Sequence, residues 1–255
     1  MRMGLAAFGM VLLLGCSMGG HRKVGSVRAS VAPQAPITML RVENGAGTEH
    51  VQQAAGPEVV IEAEVWLREG RPDTDFTPAF ADHVTIAEHS GVFSVVGAHL
   101  RAGDADDWQL RLTVSVPSGV GLDLQQSVGL VRVALPEVSG GRVKVDTGSV
   151  EFAVPVVGGA LAVDVDTGEA SVTVRDTGPT EGLRATCGTG QLTVTLPADV
   201  RGTFELRAGT GALEVAARYG LTENRSHARV ESRGRVGEGG PAFSLTVGTG
   251  QVRLR

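Results

Sequence analysis

Val143-Lys144-Val145-Asp146-Thr147-Gly148-Ser149-Val150-Glu151-Phe152 is followed, twenty residues on, by Val163-Asp164-Val165-Asp166-Thr167-Gly168-Glu169-Ala170-Ser171-Val172. Apolar and polar residues alternate on both sides of a central glycine, the period of a β-strand with one face inside and one in water. The glycine recurs at Gly129, Gly148, Gly168, Gly190 and Gly211, at intervals of 19, 20, 22 and 21, and Gly250 follows after 39. Two residues after it stand Val131, Val150, Ala170, Leu192, Leu213 and Val252. Four after it stand Val133, Phe152, Val172, Val194, Val215 and Leu254, and five before it Leu124, Val143, Val163, Ala185, Leu206 and Leu245. Each unit therefore reads as two short strands meeting at a corner, where glycine supplies positive φ or close backbone approach. A unit of about twenty residues cannot bury its own apolar face, so at least three must stack. The pattern predicts an all-β fold, a β-solenoid or β-helix-like stack of ~20-residue repeats with rungs roughly 4.8 Å apart.

Outward from this core, the preceding segment reads as a variant of the repeat. Met39 to Gly45, Val59 to Leu67, Val84 to Val96 and Trp108 to Val116 are strand-like. Trp108 shares a face with Leu110, Leu112, Val114 and Val116 and reads as core. Trp66 falls opposite Ile61, Ala63, Val65 and Leu67 and is the better candidate for an exposed contact, with strand-edge packing as its alternative. Residues 216–242 break the rhythm and carry Arg218, Arg225, Arg229, Arg233 and Arg235 with Glu223, Glu231 and Glu238. They read as a solvated loop replacing a degenerate unit, or as a longer excursion of the kind that carries binding on repeat scaffolds. The chain ends on a strand, Phe243 to Arg255. Its edge is expected to be covered in the monomer, with Arg253, Arg255 or the preceding loop as the block.

The N-terminus reads as an address. Arg2 precedes an apolar run from Leu5 to Leu14, too short to span a bilayer as a helix, and the run meets Leu13-Leu14-Gly15-Cys16. That tetrapeptide resembles a bacterial lipobox. The expected organisation is a signal peptide over 1–15, a diacylglyceryl-modified Cys16 and flexible tether over 16–36, and a folded domain over 37–255. Ser17 stands where an inner-membrane retention signal would carry Asp, which favours the outer membrane, periplasmic or surface-facing. The net charge of −5 argues against a nucleic-acid binder, which needs a basic face to neutralise phosphates.

With these strands in view, the chain resembles the bacterial β-strand-repeat family described as "putative adhesins", a domain family of unknown function. The resemblance rests on Arg41-Val42-Glu43-Asn44-Gly45, on Val114-Ser115-Val116-Pro117-Ser118-Gly119, and on the corners Thr147-Gly148, Thr167-Gly168, Thr189-Gly190, Thr210-Gly211 and Thr249-Gly250. It covers residues 37–255 and implies a β-solenoid-like fold and an adhesive role.

No catalytic, cofactor or metal site emerges. Asp-Thr-Gly at 146–148, 166–168 and 176–178 has the form of an aspartic-protease loop. Gly188, Gly209 and Gly248 replace the aspartate in other units, however, which marks a turn role. Asp146, Asp164, Asp166 and Glu169, or Asp104, Asp106 and Asp107, are oxygen ligands short of a full cation set. Cys187 occupies the slot of Val145, Val165, Ala208 and Val247, so it reads as a small inward hydrophobe without a disulfide. His83, His89 and His99 have no zinc spacing. The expected function is a non-enzymatic envelope module for adhesion, interaction or structure, anchored to the membrane by Cys16 and facing a protein or glycan ligand. A periplasmic scaffold or signalling partner is the alternative, and a β-helix enzyme acting on polysaccharide is a further one.

Overall fold

The structure, a computed structural model, describes residues 20–70, 81, 83–97, 108–226 and 229–255. Its strands are β1 (His21–Val31), β2 (Met39–Gln53), β3 (Val59–Arg68), β4 (Val84–His89), β5 (Val92–Gly97), β6 (Trp108–Val116), β7 (Gly121–Ala134) and β8 (Glu137–Val138). Then follow β9 (Gly140–Val157), β10 (Leu161–Thr177), β11 (Leu183–Thr195), β12 (Gly202–Val215), β13 (Thr222–Ser226), β14 (Arg229–Val236) and β15 (Ala242–Leu254). The all-β expectation holds among the described residues. They form one open mixed sheet ordered β1-β3-β6-β2-β7-β9-β10-β11-β15-β12-β14-β13, with β4, β5 and β8 at its margins.

The glycine pattern becomes a column. In the parallel ladder, Gly47 pairs with Gly129, Gly129 with Gly148, Gly148 with Gly168, Gly168 with Gly190, Gly190 with Gly250, and Gly250 with Gly211. Burial explains why each strand bends there. Val143 and Val145 are buried before Gly148, and Val150 and Phe152 after it, yet Val145 and Val150 are five residues apart. In a flat strand an odd separation puts two side chains on opposite faces. The bend reverses that parity, so both halves of the strand point the same way, into the core. Gly148 adopts φ +141°, and a Cβ there would lie 1.8 Å from the Gly129 carbonyl oxygen. The same 1.8 Å approach recurs at Gly129, Gly168, Gly190, Gly250 and Gly211, so no other residue fits the column without moving backbone.

Spatial order departs from chain order at both ends of this ladder. β15 lies between β11 and β12, so Gly250 sits between Gly190 and Gly211. The last strand is thus covered on both edges, as expected, but by β11 and β12 rather than by a loop. Residues 216–242 are not a solvated loop. A 3-10 turn over Ala217–Tyr219 leads into the β13–β14 hairpin, and β14 runs antiparallel along the outer edge of Gly202–Ala208. The chain then returns through Gly237, Gly239 and Gly240, all at positive φ, to enter β15 on the other side of β12. β15 fills this inner place with Phe243, Leu245, Val247, Val252 and Leu254, all at most 1% exposed, whereas Leu213 and Val215 of β12 stay half-buried.

Two further expectations are corrected. The tether over 16–36 does not extend to residue 36. His21–Val31 is a strand paired antiparallel with β3, from His21↔Arg68 to Val31↔Val59. Alternation in Val24-Gly25-Ser26-Val27 places Val27 and Gly25 inward, a short signal hidden among glycine and serine. Val84 to Val96 is a hairpin, β4 and β5, because Ser90 (φ 49°) and Gly91 (φ 79°) turn the chain. Cys16 and the signal segment lie outside the described residues. Among those residues, no helix is long and apolar enough to cross a membrane.

Candidate binding groove

At each corner, the residues just before and after the glycine project outward. Before it, Thr147, Thr167, Thr189, Thr249 and Thr210 form an exposed ridge of stacked hydroxyls. In β7 the ridge changes chemistry, because Val128 takes the place of threonine, and in β2 it ends, because Ala46 in that position is buried. Val128 is 50% exposed, the one large hydrophobic so exposed among the described residues. Around it opens a groove of about 520 Å³. Gly47 and Thr48 of β2 and Gly129 and Leu130 of β7 lie at its centre, with Ser149 and Glu151 of β9 on one side and His21, Gln109 and Arg111 of β1 and β6 on the other.

Electrostatics set the character of the walls. The Arg111 guanidinium lies 3.7 Å from the Trp66 ring centroid, a contact that holds the cation over the face of the indole. Trp66 is 6% exposed, and its indole N–H donates to Glu64 at 3.3 Å. The sequence expectation of an exposed Trp66 therefore fails in favour of its packing alternative, since Arg111 covers the ring. On the far wall, Arg132 donates to Glu151 at 2.6 Å and neutralises it. His50, which pairs with Arg132 across the ladder, is held below the usual imidazole range by burial and then by that guanidinium. The groove thus has an apolar centre, a cationic lip at Arg111 and hydroxyls from Thr48 and Ser149. It can seat a ligand.

The other residues singled out from sequence are dispersed. Asp164 accepts from Arg142 at 3.1 Å and from the Thr186 hydroxyl. Asp146 pairs with Lys144 at 2.8 Å, and this hydrogen bond and charge raise the lysine above its ordinary range. No group of three metal-ligating side chains converges among the described residues. Asp104, Asp106, Asp107 and His99 lie outside them. Cys187 is 2% exposed in its inward slot, its thiol donating to the Gly168 carbonyl at 3.5 Å, and burial pushes the thiol up. Trp108 is half-buried against the core.

One titratable residue was missed. Glu49 stands two after Gly47, the slot of Val131, Val150, Ala170 and Leu192, and is fully buried. Neither carboxylate oxygen has a hydrogen-bond partner, and desolvation raises its pKa well above the usual carboxylate range. Aligning β2 on Gly47 rather than on Gly45 would have revealed it.

No family model and no curated protein matches this chain. Solved structures with some likeness include a "putative cell adhesion protein" of Clostridium sporogenes, at 11% identity and TM-score 0.47, covering 90% of this chain and 97% of that one. A "putative adhesin" of Bacteroides fragilis gives 8% identity and TM-score 0.32 over the same shares of each chain. One of Parabacteroides distasonis gives 9% and 0.30, again over 90% and 97%. Likenesses this slight carry no function across to this chain.

Proposed function

We propose that the chain is a non-enzymatic lipoprotein of the cell envelope, whose β-solenoid stack presents a binding surface for adhesion or interaction. In this reading residues 1–15 are the signal peptide, Cys16 carries the lipid, and the outer membrane holds the anchor. The observation that carries it is the glycine column. Seven glycines in ladder register hold a rigid corner, along which one outward ridge runs from Thr210 to Val128. A surface repeated at strand spacing suits an extended protein or glycan ligand better than a small substrate, because equivalent groups recur every ~4.8 Å.

The test is an epitope inserted between Glu238 and Gly239, in an exposed turn, probed by antibody on intact and lysed cells. Signal on intact cells is the expected result and directs the search to matrix, host or neighbour ligands. Signal after lysis alone removes adhesion and leaves a periplasmic scaffold or signalling partner. Turnover of envelope polysaccharide by the purified domain would replace the binding reading with an enzymatic one.

A further inference from the structure

The fold begins much closer to the lipid-bearing cysteine than a tether over 16–36 would allow. His21, the first residue of β1, stands only five positions beyond Cys16, with four residues between them. Fully extended, five residues span at most about 18 Å. His21 itself lines the groove beside Val128, together with Gln109 and Arg111. The chain from the anchor therefore enters the domain at the groove.

We infer that this end of the corner ridge rests on the bilayer, with Val128 and Leu130 in the headgroup layer and Arg111 and His21 beside lipid phosphates. The inference rests on the lipoprotein reading of Cys16. Three observations point to a lipid surface as the occupant. The available chain is too short for the domain to stand off. The ridge is apolar here, at exposed Val128 and half-buried Leu130, and threonine from Thr147 onward. The rim carries Arg111, a cation already desolvated on one face by Trp66. An aliphatic side chain with an arginine at its border is the pairing that membrane interfaces favour, since the guanidinium reaches phosphate while the apolar group enters the acyl boundary. The contact then lies between β6 and β9, with Thr249 four rungs beyond Gly129, about 19 Å along the ridge from the groove.

The test uses the full lipidated chain in vesicles of phosphatidylethanolamine and phosphatidylglycerol, in a Cys187→Ala background. Val128→Cys and Thr249→Cys, both exposed ridge positions, are each labelled with an environment-sensitive fluorophore. The label at 128 should shift to the blue on vesicles and be quenched by brominated lipid, while the label at 249 does neither. No shift at 128, or equal shifts at both sites, overturns the inference. The N-terminal peptide mass is read from the same sample. An unacylated Cys16 would sink the lipoprotein reading, whereas an acylated Cys16 with a silent label at 128 sinks only the membrane-contact inference. Amide exchange on the unlabelled protein gives a second readout. Residues 46–48 and 128–130 should gain protection on vesicles, and unchanged exchange there counts against the contact.

Discussion

Glu49 is an acid in a column of aliphatic residues. Burial pushes its carboxyl well above the usual carboxylate range inside the fold, while in the unfolded chain it ionises near pH 4.3. Because its folded pKa is raised, the stability it permits is full below the unfolded value and is lost as pH rises toward the folded one. The loss runs at up to about 1.4 kcal/mol per pH unit. Glu49→Gln and Glu49→Leu remove that term, so both should outlast the wild type by a margin that widens from pH 4 to pH 8 in urea melts. A margin constant with pH would mean that Glu49 is ionised or solvated in the folded protein.

Glycine at the corner is subject to a different constraint, which is geometric. At Gly168→Ala the new methyl meets the Gly148 carbonyl at 1.8 Å, and backbone on a neighbouring rung cannot swing aside as a side chain can. The expected loss is more than ~3 kcal/mol, the range of buried overpacking combined with backbone strain. Gly239→Ala, at φ +71° with nothing within 4 Å, should lose only about 1 kcal/mol. Equal denaturation midpoints for the two variants would contradict the column.

At the scale of elements, the C-terminal end of the core is closed by one 3-10 turn and one hairpin. Phe243 stacks on Phe204 at 4.5 Å, and Tyr219 packs on Phe204 at 5.3 Å. The Tyr219 hydroxyl donates to the Arg255 carbonyl at 2.9 Å, and Arg218 donates to that hydroxyl and to the Leu196 carbonyl. Tyr219→Ala should therefore lower stability by ~3–5 kcal/mol, and Tyr219→Phe by about 1, as read in thermal melts. Beyond it, β13 is exposed along its whole length, an edge guarded by charge, with Glu223 and Arg225 paired to each other. Replacing both by valine should produce association that grows with concentration in light scattering, and a persistent monomer would show that charge is not the guard.

These elements also show what the sequence could reveal. The alternation about Gly148 and Gly168 made the strands, the inward residues and the slot of Cys187 legible, because burial imposes the same parity on every rung. β1 was hidden because its inward positions include Gly25 rather than an unbroken apolar set. The β13–β14 hairpin was hidden because β13 is polar on both faces and β14 offers only Val230, Ser232, Gly234 and Val236 on one face, so little distinguishes them from a loop until β14 pairs with β12. Val128 takes the threonine position of its corner, but nothing in the pattern marks its exposure, since a valine in a strand ordinarily points inward.

Across the whole molecule, neighbours in space are not always neighbours in chain. A stack built in sequence order would lose only its last rung on truncation. Here, removal of 242–255 takes out the strand that joins β11 to β12, and exposes both. The truncated chain is expected to lose its cooperative unfolding transition in circular dichroism and to be cleaved rapidly by protease. Retention of a sharp transition would mean that β11 and β12 pair directly once β15 is gone.

The same insertion sets a clock. A chain leaves the ribosome N-terminus first, so the strand seated between β11 and β12 is made after both of them. Until residue 254 emerges, β12 and its hairpin have no permanent seat beside β11. The sheet therefore reaches its final order only after β15 has been made, which leaves β12 and its hairpin unlocked until then.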